Sequence, residues 1–545
     1  MPFDRWPDTG FDPSPLLEPG PDGRAAALAR PRLAWFGVLV PILFAAVAYM
    51  ALRPPSVDLA AQLFRCKLFA SDGFLTWNNY WYGGHYLLGY SVLFPPLGAA
   101  VGARAVGGLA AVVATGLFGL LARHRYGPRA PLATLWFGSG IVAMLLSGRL
   151  TFVLGAAVGL AALVALDRER PLLAFPLAVA TSFSSPVAGF FLVLIGGALI
   201  LSGGRRRGAG LALAAGVPAV GLALAFPTSG SEPFAFSSLA GTLAFTLLVY
   251  VALPRRERLL RYGTALYAGA VVCIFAVPNA LGGNVVRLSN LAAASVLALG
   301  LAGPRRRLAL AVLALPLLYW QWHGAIRDVS GASADPSVQR SFYTSLLGVL
   351  KERTGGLPVR IEIPPTRDRW EVYYVAPKFL LARGWERQQE TDELHFRTNL
   401  APASYRGWLE GEGVSYVALP RAPLDYLVRR EAALIRGGLP YLDQVWSNHD
   451  WRLYAVRDSK GLIDPPASLS SIGADWYDLQ APRAGSFLLR IHFNPYWIVS
   501  GSGTCLREKG SWTVVETDRP GSIHVGTDFS TAALLGRHRV CSDED

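Results

Sequence analysis

One aspartate after a Pro-Pro break, and two arginines placed against the prevailing charge pattern, are the residues of this chain best suited to chemistry. Asp58 follows Arg53-Pro54-Pro55-Ser56-Val57. If 58–69 is helical, Asp58, Gln62 and Arg65 lie on one face at i, i+4 and i+7, so an acid, an amide and a cation point the same way. A carboxylate there can take a proton from a hydroxyl if nearby cations keep it charged. Arg149 and Arg287 border apolar segments, where charge is costly unless paired. Their natural partner is a lipid phosphate, which arginine grips with two parallel hydrogen bonds, or else a carboxylate such as Asp58. Asn284 and Asn290 near Arg287, with Ser184 and Ser185, would complete a polar pocket. Between residues 77 and 86 the chain reads Trp-Asn-Asn-Tyr-Trp-Tyr-Gly-Gly-His-Tyr. Its ring faces and amides, with Trp77, Asn78, Tyr82 and His85 as the leading candidates, suit a sugar ring, and its glycines permit close backbone approach.

Each of these residues also has a purely structural reading. Trp and Tyr gather at membrane interfaces whatever the function. Asp58 suits a helix N-cap, His85 a satisfied interfacial histidine, and the two arginines a structural ion pair or snorkelling.

The elements that must position these residues are read from hydropathy and charge. The chain has 545 residues, 52% of them hydrophobic, and a net charge of +13. Arginine clusters at 24–32, 123–129, 168–170, 205–207, 255–261 and 305–307 fall at every second gap between apolar segments. Five internal basic loops hold twelve of the thirteen surplus charges. The surplus therefore follows the positive-inside pattern of a multi-pass membrane protein and is no nucleic-acid surface. Apolar segments near 33–51, 105–122, 131–147, 150–166, 171–183, 187–202, 208–226, 236–253, 262–280, 288–303 and 308–322 predict about eleven transmembrane helices. The N-terminus is then cytoplasmic, behind a disordered tail 1–32, and the C-terminal region extracytoplasmic. Pro95-Pro96 breaks the run 87–103 into a half-inserted or interfacial piece. Of the outer connections, only the loop 52–90 and the region after 322 have room for chemistry.

From about 336 the pattern becomes that of a soluble protein. Predicted helices at 338–350, 405–412 and 424–435 alternate with strands at 359–363, 372–375, 414–419 and 451–456, giving an α/β domain over 336–460. Short alternating strands at 486–493, 497–500, 511–517 and 522–525 predict a β-sandwich over 464–541. Cys505 and Cys541 share that region, and an oxidising compartment leaves both a disulfide and two free thiols open. No cysteine spacing resembles a zinc site. Phosphate-loop, zinc-protease, serine-hydrolase and dinucleotide fingerprints are absent, and the spans carry almost no acids.

Val57-Asp58-Leu59-Ala60-Ala61-Gln62, Trp77-Asn78, Tyr82-Gly83-Gly84, Phe94-Pro95-Pro96, Ser147-Gly148-Arg149-Leu150-Thr151-Phe152, Gly282-Gly283-Asn284, Arg287-Leu288 and Arg383-Gly384-Trp385-Glu386-Arg387-Gln388 carry a resemblance. With them the chain resembles the GT-C superfamily of membrane glycosyltransferases. Within it, the chain is most similar to a bacterial group labelled pyruvoyl-tetrahydropterin-synthase-related or mislabelled as facilitator-type transporters. The resemblance implies a GT-C-like helical domain over 33–322 in the bacterial plasma membrane. It also implies sugar transfer on the outer face from a polyprenyl-phosphate donor to a cell-envelope glycan or lipid acceptor. Asp58 takes the place of the general base, with Arg149, Arg287 or Arg65 holding the lipid phosphate. Many members of the superfamily carry a second acid beside the first. Here Leu59 follows Asp58 and the next acid is Asp72, so no cofactor is implied and a divalent metal is doubtful. Two other functions fit the topology: a transporter or lipid flippase, and a non-catalytic envelope assembly or carbohydrate-binding protein.

Overall fold

The computed structural model describes residues 21–228, 230–301, 306–390, 396, 400–500, 503–527 and 541, with backbone alone over 21–36. The expected disordered tail 1–32 therefore lies partly outside the described residues, while the backbone of 21–32 is helical. The chain divides into two compact units. One comprises residues up to Gln62, Gly89–Pro227 and Ser231–Gly331; the other comprises Leu63–Leu88, Thr228–Gly230 and the chain from Ala332 on.

The first unit is helical. Its elements are α1 (Pro21–Leu52), the start of α2 (Val57–Asp72), α3 (Phe94–Val101), α4 (Ala103–Tyr126), α5 (Ala130–Leu146), α6 (Leu150–Asp167), α7 (Pro171–Ser184), α8 (Pro186–Leu201), α9 (Arg205–Ala225), α10 (Phe236–Ala252), α11 (Arg258–Ala276), α12 (Arg287–Gly300) and α13 (Arg306–Ser333). Every predicted apolar segment overlaps one of these helices. By length and composition, five helical stretches among the described residues suffice to cross a membrane, one of them the 44-residue run Ala103–Leu146. The count becomes six if α1 and α2, bent by 71° at Pro54-Pro55, form one broken span. The apolar α7, α8 and α10 have only 14, 16 and 17 residues. Glycine lets the helices approach closely. A Cβ on Gly155 of α6 would stand 2.8 Å from both Ser185 and Ala188, and one on Gly196 of α8 would stand 2.7 Å from the Gly208 carbonyl of α9. The broken run around Pro95-Pro96 forms α3, with proline in its first turn, where a missing N–H costs nothing.

The second unit adds two β-assemblies, with the end of α2 and a small hairpin of β1 (Trp77–Asn78) and β2 (His85–Tyr86). The α/β part consists of α14 (Arg340–Thr354), β3 (Arg360–Glu362), α15 (Glu371–Tyr374), β4 (Leu380–Leu381), α16 (Pro402–Gly411), β5 (Val414–Pro420), α17 (Arg429–Arg436), β6 (Leu442–Ser447) and β7 (Trp451–Val456). Its sheet runs β4-β3-β5-β7-β6, parallel on the β4 side and antiparallel on the β6 side. The predicted strand 372–375 is instead the helical turn α15. Glu371 at its start accepts hydrogen bonds from the Thr366 N–H and hydroxyl, and that anchoring overrides the β preference of Val372-Tyr373-Tyr374-Val375.

The sandwich that follows has β8 (Ser468–Ile472), β9 (Trp476–Ala481), β10 (Gly485–His492), β11 (Trp497–Ser500), β12 (Thr504–Lys509), β13 (Trp512–Thr517) and β14 (Gly521–Thr527). Its two antiparallel sheets are ordered β10-β13-β12 and β11-β14-β9-β8. Leu479, Leu489, Ile491, Val515 and Val525 are among the alternating inward residues of its core. Cys505 on β12 is disulfide-bonded to Cys541, with Cα atoms 5.1 Å apart. This settles in favour of the bond a pairing the sequence left open.

Candidate active site

The first unit assembles one carboxylate and two guanidinium groups from three distant stretches of sequence. Asp58 sits in the first turn of α2, where the helix dipole favours negative charge. Arg149 precedes α6, and its Nε lies 3.4 Å from Asp58 Oδ2. Arg287 opens α12, and its terminal nitrogen lies 3.9 Å from the same oxygen. The backbone explains why these groups meet. Gly148 has φ +75°, and a Cβ there would stand 2.5 Å from Ser56 Oγ and 2.6 Å from the Leu59 nitrogen. Only glycine lets the α5–α6 turn press against the start of α2. Gly282 works alike before α12: at φ +43° its absent Cβ would fall 2.0 Å from the Glu232 carbonyl oxygen.

The three charges attract but do not satisfy one another. Nε of Arg149 and Nε of Arg287 are buried donors without a hydrogen-bond acceptor among the described residues. A buried ion pair that served stability alone would be expected to close such bonds, because an unpaired buried donor is costly. Donors of this kind beside a carboxylate can serve an anionic group by charge-assisted hydrogen bonds. Asp58 lies beyond the break at Pro54-Pro55, outside the apolar segments that the sequence offers as spans. Burial pushes its carboxyl up from the ordinary range, Arg149 and Arg287 pull it down, and Asp328 raises it again. A group held between these pressures suits a proton acceptor.

An apolar cavity of about 360 Å³ lies inside the same unit. It runs from Phe152, Leu288 and Ser289 to Arg125, Tyr126 and Asp167 by the basic loops. The Arg287 guanidinium stands 5.6 Å over the Phe152 ring, which also lines the cavity, so the cationic group and the cavity share a neighbour. This geometry suits an amphiphile with an anionic head.

The other predicted site residues are placed differently. Gln62 is buried in the first unit, its amide donating to the Tyr90 hydroxyl at 2.8 Å. Asn284 is half-buried in the turn before Arg287. Arg65 belongs to the second unit, where it is ion-paired with Glu386 and lies 5.9 Å from the Trp81 ring. The expected role of Arg65 as a phosphate holder therefore gives way to an internal ion pair. The aromatic stretch is corrected in the same sense. Trp77 is buried in the sandwich core, 5.7 Å from the Trp497 ring, and its Nε1 donates to Asn79. Asn78 is fully buried and accepts from the Tyr80 N–H, and Tyr82 is buried as well. His85 is stacked 5.4 Å from Trp81. These side chains fill the second unit instead of presenting a sugar platform.

Asp328 was not singled out from the sequence. It lies on α13 beyond the predicted end of the last span at 322, some 270 residues from Asp58, and no local pattern links the two. Among the described residues, the one cluster of metal-ligating types combines Cys505, Cys541 and Glu516. Its two sulfurs are bonded to each other, so it does not fit a metal. Around Asp58 the charged neighbours are the two guanidinium groups and, as a like charge, Asp328.

The buried histidines give a pH dependence. Burial pushes His85 down to about 3 and His492 down to about 4. Both are neutral in the fold, so their contribution is complete above the ordinary histidine value near 6.5 and is lost as pH falls through these lowered values. Thermal melts of the full chain should show the second unit weakening from about pH 6.5 toward about pH 4. His492→Gln, which keeps a donor for the Gly84 carbonyl, should flatten that slope. An unchanged slope would contradict the assignment.

No protein-family description and no curated protein matches the sequence. Among solved structures, it is similar to the oligosaccharyltransferase of Archaeoglobus fulgidus in its apo form, with 13% identity and a TM-score of 0.42, over 71% of this chain and 69% of that one. The same enzyme tethered to an acceptor peptide with an NVT sequon gives 13% identity and 0.42, over 71% and 70%. Archaeal oligosaccharyltransferase AglB from that organism, in complex with an inhibitory peptide and a dolichol-phosphate, gives 13% and 0.39, over 71% and 69%. At these values the functional reading rests on this chain's own residues.

Proposed function

We propose that this chain is a membrane glycosyltransferase of the GT-C kind, moving a sugar from a polyprenyl-phosphate donor to a cell-envelope glycan or lipid on the outer face of the plasma membrane. The observation that carries the reading is the pair of guanidinium groups, Arg287 buried and Arg149 half-buried, that meet one oxygen of Asp58 and each keep a buried Nε without a hydrogen bond. Reading the basic loops as cytoplasmic supports an outer-face position for Asp58.

In this reading Arg149 and Arg287 hold the donor phosphate by charge-assisted hydrogen bonds, and the apolar cavity beneath Phe152 receives part of the prenyl chain. Asp58 takes the proton from the acceptor hydroxyl as that oxygen bonds to the anomeric carbon. The bond from anomeric carbon to phosphate oxygen breaks, and polyprenyl phosphate leaves as an anion that the guanidinium groups already neutralise. Charge, proton and leaving group balance without a further reactant.

Membranes containing the chain, supplied with polyprenyl-phosphate sugar radiolabelled in the sugar, test the proposal. Label should pass covalently to an envelope acceptor. Label that stays on the donor, or crosses the bilayer still attached to its lipid, would contradict transfer; the second outcome would favour a flippase.

A further inference from the structure

Lysine is scarce in this chain: Lys67, Lys351, Lys378, Lys460 and Lys509 are the only five in 545 residues. Three of the five line a single cleft of the second unit. The cleft measures about 920 Å³ and is bounded by Lys67 near the end of α2, one face of α14, and the stretch from Tyr373 to Phe379. Arg340, Thr344, Leu347, Gly348 and Lys351 follow one another at helical spacing along that face, a stripe of about 16 Å with a cation at each end. Lys378 faces it, and Lys67 Nζ lies 5.7 Å from the Tyr373 ring.

Two features separate this cleft from an ordinary solvated surface. Among the described residues no acidic side chain lines it, in a chain with 38 acids to 51 cations. The cations also surround apolar surface, since Leu347, Tyr373, Tyr374 and Phe379 line the space between them. A Cβ on Gly348 would meet nothing within 4 Å, so the helix leaves that space open. A concave site with cations at its ends and rings between them fits a chain molecule that alternates apolar faces with negative substituents.

We infer that this cleft binds an anionic saccharide chain, its acidic substituents paired with Lys67, Arg340, Lys351 and Lys378 and its ring faces laid on the tyrosines. The site lies wholly within the second unit and would bind whether or not Asp58 is catalytic.

Binding of a hexagalacturonate to the full-length chain in detergent micelles tests this, beside a neutral galactan hexamer and vesicles of phosphatidylglycerol or phosphatidylcholine. The hexagalacturonate should bind, more weakly as salt rises from about 0.05 to about 0.3 M. K351E/K378E, at two exposed positions, should lower its affinity at least about tenfold with an unchanged near-ultraviolet dichroism spectrum. K460E/K509E should leave the affinity as it was. Equal binding of the neutral hexamer, unchanged binding by K351E/K378E, equal loss in K460E/K509E, or binding to phosphatidylglycerol vesicles alone would each overturn the inference.

Discussion

Asp58→Asn should lower the rate of sugar transfer by about two to four orders of magnitude while the protein still folds. Asparagine has the shape of the carboxylate but cannot accept the hydroxyl proton. The fold should tolerate the change because the present contacts, at 3.4 and 3.9 Å, are loose, and the side chain keeps some access to solvent. The melting temperature distinguishes this from a structural role. Were Asp58 there to neutralise two arginines, removing its charge would leave the buried Arg287 and the half-buried Arg149 unpaired and cost about 3–5 kcal/mol. Loss of transfer at an unchanged melting temperature is the expected result. Loss of both together, or of neither, would count against a catalytic carboxylate.

Arg383→Met should have the largest effect on stability. Arg383 lies within the second unit between two buried carboxylates, Glu362 of β3 and Glu431 of α17, and is ion-paired with both. Its Nε donates to Glu362 at 3.1 Å, and Glu431 accepts a further bond from the Tyr405 hydroxyl at 2.9 Å. The guanidinium also packs 4.1 Å from the Phe396 ring. Methionine fills similar volume but abandons two buried acids to each other, a loss of about 3–5 kcal/mol. Adding Glu362→Gln and Glu431→Gln should recover much of that loss, because the remaining groups are then neutral. If the triple variant melts no higher than Arg383→Met, the lost packing dominates and the electrostatic account is wrong.

The sequence made the charge logic legible and concealed the packing logic. Arginine clusters marked alternate loops because positive charge resists translocation, a rule that depends on composition and not on contacts. Arg149 and Arg287 stood out because they broke that rule, and the structure brings both to Asp58. The aromatic stretch 77–86 is ambiguous in the sequence because a dense run of Trp, Tyr and Asn looks the same whether it faces a sugar, a lipid interface or a core. What decides is its partner, and for Trp77 that partner is Trp497, 420 residues further along the chain. Such a pairing has no periodicity to read.

The stretch Arg383-Gly384-Trp385-Glu386-Arg387 shows the same ambiguity. Its residue types look fit for ligand binding, yet Arg383 pairs with Glu362 and Glu431, Glu386 with Arg65, and Arg387 with Asp425 at 2.6 Å. A Cβ on Gly384 would meet Trp81 at 2.8 Å. Each choice has an internal cause. The basic cleft is invisible in the sequence for a related reason. Its lysines lie at positions 67, 351 and 378, and only the fold shows that they converge.

The affinity of the purified Asp58→Asn protein for a polyprenyl phosphate tests the central claim most directly. If the arginines hold the donor and Asp58 acts on the acceptor, this protein should bind the phosphate as tightly as the unmodified chain or up to about tenfold more tightly, since a negative neighbour is gone. Arg149→Gln and Arg287→Gln should each weaken binding by about ten- to hundredfold. Weakened binding in Asp58→Asn with full binding in both arginine variants would contradict the account.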